Sequence, residues 1–244
     1  ICFMSCTKQS DLTFKYQDND DLFSCETVDM DLIKEAKYAF EDYIEKHSEQ
    51  EPQHLAALNK ETYQKILLPR MLSGHFQGRV LSMLSKLIRP VNILEIGTYT
   101  GYSALCLCEG MQENGQLHTI DIKEELIDFQ RKHFDKSPWG NQIVQHLGEA
   151  IDIIPGLDLK FDLVFIDADK TGYLDYFNSL LPSVRRNGFI LADNIFFHGQ
   201  VLEEPVKGKN AKAMIAFADA VKNCLSVEQV PIPLRDGLML IRKL

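Results

Sequence analysis

The chain has 244 residues, 45% of them hydrophobic, 25% charged and 9% aromatic, with a formal net charge of −9. This composition is that of a folded globular protein, and it excludes overall disorder, a collagen-like repeat and a disulfide-stapled miniprotein. No apolar run reaches the roughly 18 residues needed to cross a bilayer, no broad positive field invites nucleic acid or an anionic membrane, and six cysteines without a C-x-x-C pair read as free thiols of a reducing, cytoplasmic setting.

Residues 1–30 are polar and acidic, without a sustained period, and read as a flexible or loosely docked leader. Residues 31–244 read as one domain. From Asp31 the apolar positions Leu32, Ile33, Ala36, Phe40, Tyr43 and Ile44 recur at helical spacing. A second helix is expected from Glu51 to about Leu67. A third runs from Gln77 to Ile88, with Val80, Leu81, Leu84, Leu87 and Ile88 on one face. Short apolar strands then alternate with helices: strand Asn92–Ile96, helix Tyr102–Met111, strand Gln116–Ile120, helix Glu124–Phe134, and strands Ile143–Leu147 and Phe161–Ile166. Helix Tyr173–Val184, strand Phe189–Ala192, helix Ala211–Cys224 and strands Val227–Val230 and Leu238–Ile241 follow. Alternation of this kind calls for an α/β, doubly wound, mostly parallel sheet with an N-terminal helical cap. The link between the last two strands is too short for a helical crossover, so that pair is expected to be antiparallel.

Two stretches carry chemistry. The first strand ends in Glu95-Ile96-Gly97-Thr98-Tyr99-Thr100-Gly101, a turn at the place where such sheets bind ligands. It lacks the third glycine of a dinucleotide turn, and Glu95 would repel a pyrophosphate. Asp121 ends the second strand, where an acid hydrogen-bonds a ribose diol. An acidic, ribose-binding site without phosphate recognition points to S-adenosylmethionine, a sulfonium without phosphate. An NAD-dependent oxidoreductase is the rival from another class.

The second stretch is a pair of strand ends, Asp167-Ala168-Asp169-Lys170 and Asp193-Asn194. Neighbouring strands are about 4.8 Å apart, so Asp167 and Asp193 would face one another beside the glycine turn. For Asp193 and Asn194 to face the same site, the strand must already be curling into its loop. Asp167, Asp193 and Asn194 together make a hard oxygen set suited to a divalent cation, Mg²⁺ first and Ca²⁺ or Mn²⁺ as alternatives. Open positions on the ion would suit a vicinal diol. Lys170 lies close enough to take a hydroxyl proton. Tyr173, Phe196 and Phe197 are candidate walls for an aromatic ring.

The chain resembles the cation-dependent O-methyltransferases typified by the caffeoyl-CoA and catechol enzymes. The likeness is carried by Met71-Leu72-Ser73-Gly74, Leu81-Ser82-Met83-Leu84, Leu94–Ser103, Thr119-Ile120-Asp121, Gly148-Glu149-Ala150, Phe161–Lys170, Ala192-Asp193-Asn194 and Asp236-Gly237. It implies a class I methyltransferase fold of seven strands with the last one antiparallel, and a homodimer. It implies S-adenosylmethionine contacts at Ser73, Glu95, Gly97, Thr98, Ser103, Asp121 and Ala150, metal ligation by Asp167, Asp193 and Asn194, and Lys170 as the general base. Asp169 and His198 fall where members meet a phenolic acceptor. Phe196 and Phe197 stand where members often carry Leu-Trp, and His198 where plant enzymes for CoA esters carry Asn. Bacterial relatives that methylate a hydroxylated uridine in tRNA supply a second acceptor class, and Lys207, Lys209 and Lys212 form a small basic cluster that could meet phosphate.

Overall fold

In the computed structural model, residues 3–8, 11–15, 17–18, 21–22, 39–40 and 42–244 are described. The chain divides into two compact units, residues 1–49 and 50–244, where the sequence placed the division after residue 30. Within the first unit, β1 (Phe3–Lys8) pairs antiparallel with β2 (Asp11–Lys15), and β3 (Gln17–Asp18) with β4 (Asp21–Leu22). The helix expected from Asp31 lies partly outside the described residues; residues 39–40 and 42–47 are helical.

The second unit opens with α1 (Gln53–Lys65) and α2 (Gly74–Ile88). It then alternates through β5 (Asn92–Ile96), α3 (Tyr102–Cys108), β6 (Gln116–Asp121), α4 (Ile127–Phe134), β7 (Ile143–Leu147) and α5 (Ala150–Ile153). It closes with β8 (Phe161–Ile166), α6 (Tyr173–Leu180), β9 (Val184–Asp193), α7 (Lys209–Asn223), β10 (Val227–Ile232) and β11 (Leu238–Lys243). The one-turn helix α5 was not visible in the sequence pattern. Strand β9 begins at Val184, inside the segment expected to be helical, because Leu181-Pro182-Ser183 ends the helix in a 3₁₀ turn.

Strands β5–β11 form one seven-stranded sheet in the order β10-β11-β9-β8-β5-β6-β7. Strands β5 to β9 pair parallel, and β11 runs antiparallel to both β9 and β10, as expected for the last pair. The connections leave β5 toward β6 and β7, then cross back to β8, so the switch point lies at the carboxyl ends of β5 and β8. The central strands read as continuous apolar runs because both faces are covered. Leu94, Val164 and Ile166 pack on one face with Tyr173, Phe177 and Phe217, while Ile93, Leu163 and Phe165 pack on the other with Leu81, Leu105 and Phe134.

Helix α2 packs Leu81 fully and Val80, Leu84 and Ile88 partly against the core, as expected, but its most buried side is rotated toward smaller residues. The side it buries carries Gln77, Gly78, Leu81, Ser82 and Ser85, while Leu87 is 74% exposed. Small residues win here because α2 crosses α3 at close range. A Cβ added at Gly78 would lie 2.6 Å from the Tyr102 ring and 2.9 Å from Cys106 Sγ. The Ser85 hydroxyl donates to the Leu107 carbonyl at 2.5 Å, and Arg79 pairs with Glu109. Cys106 and Cys108 are buried free thiols on α3. Among the described residues no helix is long and apolar enough to cross a membrane.

His118 on β6 and His146 on β7 share a hydrogen bond of 3.0 Å between Nδ1 and Nε2. Burial lowers the pKa of both, and the nearby His146 charge further lowers that of His118. The unfolded chain therefore takes up these protons first, so their contribution to stability is present above the ordinary histidine pKa of 6.5 and is lost as pH falls below it. His54 and His133 are lowered in the same sense. We predict that His146→Gln shrinks the loss of Tm between pH 7.5 and 5.5, measured by thermal unfolding; an unchanged loss would remove the pair from the pH response.

Candidate active site

The carboxyl ends of β5, β6, β8 and β9 open into a cavity of about 1170 Å³. A void above the usual 300–1,000 Å³ of a single-ligand pocket leaves room for two molecules side by side. Of the residues singled out in the sequence, Ser73, Gly97, Thr98, Ser103, Asp121, Ala150, Asp167, Asp169, Lys170, Asp193, Asn194 and His198 all line it.

Glu95, the remaining one of the expected cofactor contacts, is not among the lining residues. It is fully buried beneath the cavity floor, accepting hydrogen bonds from Ser103 Oγ at 2.6 Å and Thr119 Oγ1 at 2.5 Å. Thr119 Oγ1 in turn lies 2.5 Å from Thr98 Oγ1. Burial pushes the Glu95 pKa up to about 8, against the pull of its two hydroxyl donors. Glu95 thus supports Ser103 directly and Thr98 through Thr119.

Gly97 owes its place to crowding. It sits at φ +96°, and a Cβ there would lie 2.0 Å from the Asp167 carbonyl oxygen. Only glycine allows the β5 turn to pass so close to the end of β8. The Asp167 N–H then donates to the Ile96 carbonyl at 2.9 Å, extending the β5–β8 pairing to the site. Asp121 caps the same turn, accepting from the backbone N–H of Tyr99 at 2.7 Å and of Lys123 at 3.0 Å.

Asp167 and Asp193 lie one residue past the paired Ile166 and Ala192, on adjacent strands. The next residue, Asn194, has a left-handed backbone with φ 58°. This is the curl that lets both Asp193 and Asn194 line the cavity. Asp193 is only 3% exposed. Burial first, then the nearby Asp167 charge, pushes its pKa up to about 6. Lys170 Nζ sits 3.0 Å from Asp167 Oδ1 and 2.7 Å from the Tyr173 hydroxyl. That hydroxyl also lies 3.1 Å from the Ile166 carbonyl and 3.0 Å from that of Asp193, so one fully buried tyrosine ties both strand ends to Lys170. Tyr173 is therefore a structural hub and not a wall of the cavity. Tyr63, Tyr99, Tyr102, Tyr176 and Phe197 supply the aromatic lining, the last two on the side of the strand ends that carry Asp167 and Asp193, while Phe196 packs against the core.

The donor chemistry fits a hard dication, which prefers carboxylate and amide oxygens. Among the described residues no group of three or more His, Cys, Asp and Glu could hold a metal; the set in question has two carboxylates and one amide. Two neighbours escaped the sequence reading. Gln77 Nε2 donates to Asp193 Oδ2 at 2.5 Å, and Arg235 donates to Gln77 Oε1 at 2.8 Å and to the Ser73 carbonyl. A glutamine one turn before Leu81 on the buried face of α2 was the available signal. His198 lines the cavity yet is 77% exposed at its side chain, its Nδ1 3.6 Å from Asp236 Oδ2.

The pattern of the O-methyltransferase family matches residues 45–244. This chain is a member of that family. The O-methyltransferase is 32% identical over 182 residues to a catechol O-methyltransferase of Niastella koreensis, covering 71% of this chain and 82% of the relative. It is 32% identical over 186 residues to caffeoyl-CoA O-methyltransferase 2 of Zea mays, covering 71% and 70%. Among solved structures, the SAH-bound methyltransferase PaMTH1 of Podospora anserina superposes with a TM-score of 0.78 at 26% identity, covering 91% of this chain and all of that one. The O-methyltransferase TomG of Streptomyces achromogenes, in complex with SAM, superposes at 0.79 with 25% identity, covering 84% and 96%. The sheet of this O-methyltransferase is thus the class I methyltransferase sheet expected from the sequence.

We predict that Gly97→Ala destabilises the fold by about 3 kcal/mol or more, since backbone and not a movable side chain blocks the new methyl. Tyr173→Phe should cost about 1–3 kcal/mol, because two buried carbonyls lose their shared donor. Urea unfolding measures both; a Gly97→Ala protein as stable as wild type would contradict the proposed close approach.

Proposed function

We propose that this O-methyltransferase moves a methyl group from S-adenosylmethionine to one hydroxyl of a vicinal diol, catechol-like or of caffeoyl type, with the help of a divalent cation. The observation that carries the reading is the meeting of Asp167, Asp193, Asn194 and Lys170 on the same cavity as Asp121 and the Gly97 turn. Relatives named for catechol and caffeoyl-CoA, and solved relatives holding SAH or SAM, support it.

S-adenosylmethionine would supply a methyl carbon activated by its sulfonium. Asp121 is placed to accept hydrogen bonds from the ribose diol, with Ser73, Thr98, Ser103 and Ala150 around the remainder. A cation held by Asp167, Asp193 and Asn194 would supply charge that eases ionisation of an acceptor hydroxyl. Lys170, steadied by Asp167 and Tyr173, would receive that hydroxyl's proton as the neutral amine, its own proton having first left to solvent. Tyr176 and Phe197, which line the cavity, would offer apolar surface to the acceptor ring. The O–C bond forms as the S–C bond breaks, leaving S-adenosylhomocysteine and the methyl ether. Because an anion meets a cation, alignment and exclusion of water are the enzyme's main contributions.

The test is a methyl-transfer assay with catechols, caffeoyl esters and undermethylated tRNA, with and without EDTA. We expect transfer to the diols, abolished by EDTA and by Asp193→Ala. Full activity of Asp193→Ala in EDTA would sink the cation, and transfer to tRNA alone would replace the acceptor class. Lys170→Ala should lower kcat by roughly 10²–10⁴-fold with S-adenosylmethionine affinity unchanged; a loss of cofactor binding instead would contradict its role.

A further inference from the structure

The Asp193 carboxylate is held by a side chain that belongs to neither ligand loop. Gln77 projects from the buried face of α2, is 1% exposed, and does not line the cavity. Its amide offers a donor at one end and an acceptor at the other. Arg235, a donor only, meets Oε1 at 2.8 Å. The amide is thereby forced to present Nε2 to Asp193 Oδ2, at 2.5 Å. Asp193 Oδ1 takes the Asn194 N–H at 2.8 Å. Each carboxylate oxygen thus has one protein donor, and further lone pairs remain for the cavity.

The arrangement also separates charges. A guanidinium set directly against Asp193 would neutralise it and compete with any cation. Through the neutral amide, Arg235 orients the carboxylate without forming an ion pair with it. Arg235 reaches this place from the turn between β10 and β11, whose backbone also grips the loop after β9: Ile195 N–H donates to the Gly237 carbonyl and Phe196 N–H to that of Asp236. One turn therefore steadies both the Asn194 loop and, through Gln77, the Asp193 side chain.

We infer that Gln77 and Arg235 are positioning residues for a divalent cation, Arg235 fixing the amide of Gln77 and Gln77 fixing the carboxylate of Asp193. This rests on the cation reading proposed above. Partners that orient a ligand side chain typically contribute 10–100-fold to metal affinity.

The probe is Mn²⁺ alone, titrated into SAH-loaded protein, with free ion followed by electron paramagnetic resonance. Wild type should bind Mn²⁺ and Asp193→Asn should lose it. Gln77→Met should weaken Mn²⁺ by roughly 10–100-fold, with SAH affinity and Tm little changed. Arg235→Met should also weaken Mn²⁺, and should add nothing once Gln77 is Met, because the two act in series. That variant stands as the test should Gln77→Met fail to fold. Mn²⁺ affinity within twofold of wild type in either variant, while Asp193→Asn abolishes binding, would overturn the relay and leave the cation site standing. Parallel loss of Tm, SAH affinity and Mn²⁺ affinity would mark Gln77 as a packing residue and likewise overturn it. Absence of Mn²⁺ binding in wild type would remove both the relay and the reading it rests on.

Discussion

Two carboxylates held side by side at the edge of a parallel sheet are the constraint around which the second unit is arranged. Asp167 and Asp193 end neighbouring strands, and one of them is almost wholly buried. Burial above all, and then the like charge of Asp167, push Asp193 up to about 6. A folded chain tolerates this only by surrounding the pair with donors. Lys170 serves Asp167, while Gln77 and the Asn194 N–H serve Asp193.

The supports come from distant parts of the chain. Tyr173, at the start of α6, ties Lys170 to the ends of β8 and β9. Gln77 comes from α2 and Arg235 from the last turn of the unit. Because α2 crosses α3 through small residues, its helix lies deep enough for a polar side chain to reach the sheet edge. Close packing is here the condition for placing a polar group, since an amide reaching Asp193 from a shallower helix would leave a gap.

Glu95 sits beside the glycine turn and is fully buried. Its acidic character beside the glycine turn directed attention to a cationic cofactor. Its side chain braces Ser103 and Thr119.

The alternation of apolar strands and helices, the glycine spacing and the acids at successive strand ends were enough to determine the sheet, its antiparallel edge and the cluster of Asp121, Asp167, Lys170, Asp193 and Asn194. These signals are local, because a strand's period and its terminal residue are read within a few positions. The buried face of α2, the hub role of Tyr173, the burial of Glu95 and the chain from Arg235 through Gln77 to Asp193 were decided by tertiary structure alone. Each depends on contacts between residues far apart in the chain, 158 positions in the case of Gln77 and Arg235. A glutamine on a helix carries the same local signal whether it meets water or a carboxylate, and only the packing of α2 against the sheet chose the carboxylate.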